Sequence, residues 1–171
     1  RHEHELAEAL QHHHHLREFQ AKDLEVDRKI CLDSLFAAMA HIPTLKLVEI
    51  RMKRRQSSVL SIGPLRELCK SKSLLVLKLW QLKLSEEMTV LMADSLQKNR
   101  TLKSLTLFDC NLTRYGYEAI AQMLRVNATL TELQLYDENL DDASKMAIAR
   151  GLEQNSSLQA LTIQPLVSCG R

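Results

Sequence analysis

The sequence predicts an α/β solenoid of about six repeats: a curved horseshoe segment with a parallel sheet on its concave face and helices on its convex face. Three observations predict it. Apolar residues return in one frame that starts at Leu74, Leu102, Leu130 and Leu158, 28 residues apart each time, and at Leu16 and Leu45 with a spacing of 29 upstream. A fixed period in this range marks a stack of repeats. A column of helix-capping residue types, Ser85, Thr113 and Asp141, keeps the same 28-residue spacing, and so does a column of Asn99, Asn127 and Asn155.

The elements follow in order. A helix opens the chain, and the first strand carries Leu16, Phe19 and Ala21. The second strand carries Leu45, Val48 and Ile50. The third repeat shows the frame in full: Leu74, Leu77, Leu79, Leu82 and Leu84. The fourth reads Leu102, Leu105, Leu107, Cys110 and Leu112; the fifth Leu130, Leu133, Leu135 and Leu140; the sixth Leu158, Leu161 and Ile163. Each frame ends in period-2 alternation, which suits a short strand with one apolar face. Thr113 then caps a helix by accepting from the free N–H groups of its first turn. Gly116, Ala119, Ile120, Met123 and Leu124 recur at helical spacing and give that helix one apolar side. Neighbouring repeats copy it: Met92, Ile120 and Ile148 form one inward column, and Leu96, Leu124 and Leu152 the next. Each repeat buries its apolar face only against its neighbours.

Two departures stand out. Lys53 occupies the inward position that Cys110 fills in the fourth repeat, and the segment 53–64 has no regular frame. Glu138 occupies the same inward position in the fifth repeat, where it must tilt to solvent or find a partner, because a bare buried charge is costly.

The frame L-x-x-L-x-L-x-x-[C/N]-x-L, with 28–29 residues and a full helix, resembles the ribonuclease-inhibitor-like leucine-rich repeat. The resemblance runs from about Leu6 to Leu166. That repeat type also builds the sensor regions of NOD-like receptors and the scaffold of Ran GTPase-activating proteins. The resemblance implies a leucine-rich-repeat fold and binding through the concave surface; it names no partner.

Composition narrows the function classes. The chain of 171 residues suits a single domain over 1–171, or a piece of a longer repeat array, since neither end shows a polar cap. Twenty-three basic against 21 acidic residues leave a net charge of +2, which argues against a general nucleic-acid or membrane surface. Cys31, Cys69, Cys110 and Cys169 show no close pair and no metal-ligand spacing, so a reducing, cytoplasmic setting is expected. Arg1-His2-Glu3-His4-Glu5 does not read as a signal peptide, and no run approaches the length of a membrane span.

Several features invite chemistry and are better read as parts of the repeat. His12, His13, His14 and His15 align with the helix-to-strand loop of the fourth repeat, so no metal site is expected there. The N-x-[S/T] triplets at Asn99, Asn127 and Asn155 are products of the turn that closes each unit; a fourth begins at Asn111. Arg51, Lys53, Arg54 and Arg55 form one short basic run, which suits a solvated loop.

The informative residues vary within the frame. Outward strand positions read Gln20, Glu49, Lys78, Thr106, Gln134, Thr162 in one column and Lys22, Arg51, Trp80, Phe108, Tyr136, Gln164 in the next. The chain has one Trp, three Phe and three Tyr, yet three successive repeats place an aromatic in that second column. Strands about 4.8 Å apart would stack Trp80, Phe108 and Tyr136 into a ladder with Arg51 at its end. A third column reads Asp23, Met52, Gln81, Asp109, Asp137, Pro165, so Asp109 and Asp137 are expected to flank the ladder. Aromatics with Arg dominate interface hot spots. The expected role is therefore protein binding on the concave face, through Trp80, Phe108, Tyr136 and Arg51, with Asp109, Asp137, Lys78 and Gln134 around them. No catalytic constellation and no cofactor site is read from the sequence. Two other roles remain open: a scaffold subunit that meets neighbours through its helices or ends, and a regulator of a GTPase or other enzyme.

Overall fold

The computed structural model describes residues 2–24, 29–53 and 61–166. Helices and strands alternate along the chain. They are α1 (His2–Gln11), β1 (Glu18–Leu24), α2 (Lys29–Ala40), β2 (Leu47–Met52), α3 (Ile62–Cys69) and β3 (Val76–Trp80), followed by α4 (Glu86–Lys98), β4 (Ser104–Phe108), α5 (Arg114–Val126), β5 (Glu132–Asp137), α6 (Asp142–Leu152) and β6 (Ala160–Pro165). The strands form one six-stranded sheet in the order β1-β2-β3-β4-β5-β6, and every pair is parallel.

The register is the one the period requires. Leu77 pairs with Leu105 and Leu105 with Leu133; Leu79 pairs with Leu107 and Leu107 with Leu135. All six are buried, together with Leu65, Leu68, Met92, Leu96, Ile120, Leu124 and Ile148 from the helices, so the core lies between the sheet and the helix layer. The caps form as expected. Ser85 accepts from the Met88 N–H at 3.2 Å, Thr113 from Gly116 at 3.2 Å and Asp141 from Ser144 at 2.7 Å.

The closing asparagines tie each unit to the one before. Asn127 Oδ1 accepts from the Leu130 and Thr129 N–H groups, both at 2.8 Å, while its Nδ2 donates to the Leu96 carbonyl at 2.6 Å. Asn99 and Asn155 repeat this, donating to the Cys69 and Leu124 carbonyls. Ser71 takes the same place one repeat earlier, its hydroxyl accepting from Ser73 and Leu74. The three amides are thus structural, as the repeat frame requires.

Three expectations are corrected. Residues 62–64 lie in α3 rather than in an irregular segment; Ser61 precedes the helix, and its N–H donates to Asp33 Oδ1 at 2.8 Å. Residues 54–60, which include Arg54 and Arg55, lie outside the described residues. Second, Lys22 does not pair with Arg51, because the β1–β2 register shifts between Ala21 and Leu24, where Asp23 adopts a φ of 53°. Third, Met52 and Asp137, read as outward, are buried at the inward position in place of Lys53 and Glu138, which are exposed; for Glu138 this is the tilt to solvent that the sequence left open.

The reason for the third correction is local. After β3 and β4, Gln81 and Asp109 adopt φ of 59° and 54°, and this left-handed residue turns the chain before Leu82 and Cys110 enter the core. Among the described residues that follow β2 and β5, none adopts a positive φ. Each strand runs one residue longer, and strict alternation carries Met52 and Asp137 inward.

Candidate functional site

The sheet face turned away from the helices carries the candidate site. Continuous register places Arg51 beside Trp80, Trp80 beside Phe108, and Phe108 beside Tyr136. The Trp80 and Phe108 ring centroids are 4.8 Å apart at 34°, and those of Phe108 and Tyr136 are 5.4 Å apart at 39°. The Arg51 guanidinium carbon sits 4.5 Å from the Trp80 ring centroid. All four side chains are half-buried. This is the ladder expected from the sequence, with Arg51 closing one end.

Its energetics are mixed. Each ring pair contributes about 0.5–1.5 kcal/mol beyond area burial, and the cation–π contact about 0.5–1 kcal/mol. Against this, Arg51 Nε and Trp80 Nε1 are shielded from water without a hydrogen-bond partner. An unsatisfied buried donor costs about 1–3 kcal/mol. The gain from stacking, about 1.5–4 kcal/mol, and the cost of shielding these two N–H groups, about 2–6 kcal/mol, are thus of similar size.

The adjacent column runs Glu49, Lys78, Thr106, Gln134 in register. Lys78 and Gln134 are half-buried and flank Thr106, which is buried between them. Gln134 Nε2 donates to Glu132 Oε1 at 2.6 Å, and the Ser104 hydroxyl donates to Glu132 Oε2 at 2.8 Å. Glu132 thus belongs to this polar patch. Sequence reasoning missed it, although the alternation that placed Gln134 and Tyr136 also places residue 132 on the same face.

Asp109 is half-exposed beside the ladder, and its backbone N–H donates to the Tyr136 carbonyl at 2.6 Å. Its carboxylate accepts no hydrogen bond among the described residues.

Asp137 does not flank the ladder. It is 1% exposed, with Oδ2 accepting from the Leu112 N–H at 3.1 Å and Oδ1 from the Asn139 N–H at 3.0 Å. Burial holds its carboxyl above the usual range, opposed by these N–H donors, and the nearby Asp109 charge adds to the rise. Asp137 is therefore a core acid that holds the β4–α5 and β5–α6 loops together, and Asp109 is the acid left at the surface.

Other candidate groups sit apart from the face. His12, His13, His14 and His15 lie exposed between α1 and β1, as the repeat frame placed them. The thiols of Cys69 and Cys110 are free and buried; burial pushes Cys69 up to about 12 and raises Cys110 further. A thiol so raised is a poor nucleophile at neutral pH. Cys31 and Cys169 fall where no side chain is described. No described helix is long and apolar enough to cross a membrane.

No family model matches the chain, and no curated protein matches it. Among solved structures it is similar to the C-terminal domain of a tropomodulin from Caenorhabditis elegans, with a TM-score of 0.68 and 15% identity over 90% of this chain and 92% of that one. It is also similar to a chain described as leiomodin-1 actin-binding site 2, with a TM-score of 0.57 and 19% identity over 95% of this chain and 78% of that one. Identities this low bear on architecture alone: the chain shares with these proteins an α/β fold in which parallel strands alternate with helices.

Proposed function

We propose that this chain is a protein-binding module whose partner docks on the open, concave face of the sheet. The ladder of Arg51, Trp80, Phe108 and Tyr136 carries this reading. Four rotamer-rich or aromatic side chains are held side by side on one face, where the stacking gain and the cost of two shielded N–H groups are of similar size. Such an array suits a hot spot, where large rigid rings meet a partner with little further loss of entropy. Lys78, Gln134, Glu132 and Asp109 supply a polar surround that sets charge complementarity. The residue types and their placement favour binding over catalysis. The free buried thiols support a reducing, intracellular setting, and the repeat frame supports membership of the ribonuclease-inhibitor-like group.

Actin is the first partner to test, because a structural neighbour is described by its actin-binding site. Cosedimentation of the wild-type chain with actin filaments, and binding to monomeric actin, address it directly. Affinity capture from native source material addresses partners at large. In either assay, a Trp80→Ala, Tyr136→Ala double variant should lose the bound protein while keeping the wild-type circular dichroism spectrum. Undiminished binding by that folded variant would remove the ladder as the site.

A further inference from the structure

We infer that one edge of the sheet, built by the helix-to-strand segments, is a docking surface for an extended acidic segment of a partner protein. This edge is separate from the sheet face, and neither reading depends on the other.

All strands are parallel, so every helix-to-strand segment lies at one edge and every strand-to-helix segment at the other. Segments 12–17, 41–46, 70–75 and 99–103 carry Arg17, Lys46, Lys70, Lys72, Arg100 and Lys103, together with five histidines and no acid. Across the sheet, segments 81–85, 109–113 and 138–141 hold Asp109, Glu138 and Asp141 against Lys83 alone. Charge is therefore separated between the two edges, and the net charge of +2 conceals it.

The basic side chains are exposed. Among the described residues only Lys70 of the six meets an acid, Glu67 at 2.6 Å. Arg100 is held in place by donating to the Gln97 and Asn99 carbonyls. Lys70 and Lys98 sit at helix C-termini, where a cation is favoured in any case. Lys46, Lys72 and Lys103 lie beyond those ends, so the helix dipole does not account for them.

The apolar groups on this edge say what kind of anion it takes. Lys46, Leu75 and Lys103 stand side by side: the Leu75 N–H donates to the Lys46 carbonyl and the Lys103 N–H to the Leu75 carbonyl, both at 2.8 Å. Leu75 is 38% exposed between the two lysines. Positions two strands apart are separated by about 10 Å, the length of roughly three residues of extended chain. The row thus matches a segment with an acid at every third residue and an apolar side chain between. On the same edge a groove of about 360 Å³ opens between the ends of α2 and α3, where Ala40, Ile42 and Pro43 meet His41, Lys70 and Lys72. Glu67 lines it too and is taken up by Lys70. A second groove, of about 490 Å³, sets Leu91 among Arg66, Lys70 and Lys98, with Asp94 as its one acid. Grooves that are basic and partly apolar take a chain rather than a flat bilayer. The four segments hold no Phe, Tyr or Trp on which unpaired bases could stack, and a phosphate backbone has nothing to cover Leu75.

The probe is a fluorescein-labelled peptide of repeated Glu-Ser-Leu, read by anisotropy against the wild-type chain. It should bind saturably and more weakly as salt rises, and its Gln-Ser-Leu counterpart should not bind. Lys46→Glu with Lys103→Glu should weaken binding about tenfold or more. Lys22→Glu with Lys83→Glu makes the same change in net charge toward the opposite edge and should alter binding by no more than about twofold. Leu75→Ser should weaken it several-fold, because apolar burial is lost. Should the first pair fold poorly by circular dichroism, Lys72→Glu with Lys98→Glu replaces it with the same expectation. The Trp80→Ala, Tyr136→Ala variant should bind the peptide as the wild type does, so either surface can fail without the other. The inference is overturned if the wild-type chain does not bind the peptide, or binds the Gln version equally. It is also overturned if the two charge-reversal pairs behave alike, if Leu75→Ser binds undiminished, or if an oligonucleotide or phosphatidylserine-rich vesicles bind more tightly than the peptide.

Discussion

The carboxylate of Asp137 accepts the backbone N–H of Leu112 at 3.1 Å, joining the loop after β5 to the loop after β4. A charged side chain thus serves as a buried strut. An acid whose folded pKa lies above its unfolded value contributes stability that is fully present below the unfolded pKa and is lost as pH rises through the folded one. The raised carboxyl of Asp137 follows that sign. Asp137→Asn keeps one acceptor and removes the buried charge. One of the two N–H groups loses its acceptor in this variant, and by urea midpoint the wild type should gain stability relative to it as pH falls from 7 toward about 4, since only the wild type takes up the proton. Asp137→Ala instead orphans the buried Leu112 N–H and should cost about 1–3 kcal/mol at pH 7.

Trp80 is the only tryptophan, so its fluorescence reports on the ladder directly. Removing the guanidinium that covers its ring, by Arg51→Ala, should shift the emission to the red and increase quenching by acrylamide. Arg51→Lys should behave more like the alanine variant than like wild type, since an ammonium lacks the planar group that stacks on a ring. Neither change should move stability by more than about 1 kcal/mol, because the contact is half-exposed.

The glycines of α5 and α6 are not equivalent. A Cβ on Gly151 would lie 2.6 Å from the Ala121 carbonyl oxygen and 2.9 Å from its Cα, so Gly151→Ala forces the two helix backbones apart. Its cost should be about 1–3 kcal/mol by chemical denaturation. A Cβ on Gly116 meets only the Thr89 side chain, at 3.1 Å. Gly116→Ala gains up to about 1 kcal/mol of helix propensity and should be near neutral.

Asn127 offers a test of the turn column. Asn127→Ala leaves the Leu130 and Thr129 N–H groups without their partner inside the protein, while the Leu96 carbonyl keeps the Asn99 N–H. Loss of about 2–4 kcal/mol is expected, at about 1–3 kcal/mol for each unsatisfied buried group with partial relaxation. The same change at Asn155, in the half-buried last unit, should cost less. Comparing the two melts isolates the effect of burial.

Buried thiols give the last check. Cys69 and Cys110 should resist iodoacetamide in the native protein at pH 8 and react on unfolding in urea, as read by peptide mass. Native labelling of either would mean that the core opens on the labelling timescale.

How far the sequence reached depends on what repeats. Period, caps, the asparagine column and the aromatic ladder were legible because each is set by local alternation or helical spacing, copied at 28 residues. Translation along a parallel sheet then turns sequence columns into spatial neighbours, which brought Trp80, Phe108 and Tyr136 within ring contact. The bonds of Glu132 needed the side-chain packing of two strands. The placement of Asp137 was decided by the fold, because one left-handed residue after a strand shifts every later side chain to the opposite face. Gln81 and Asp109 make that turn, and the described residues after Arg51 and Tyr136 do not. The charged residues at frame positions 53 and 138 hinted at the shift, but only the tertiary structure decided it. The inward slot is filled by whichever residue the backbone presents, and Asp137 could fill it because Leu112 and Asn139 supply the N–H groups that hold its carboxylate.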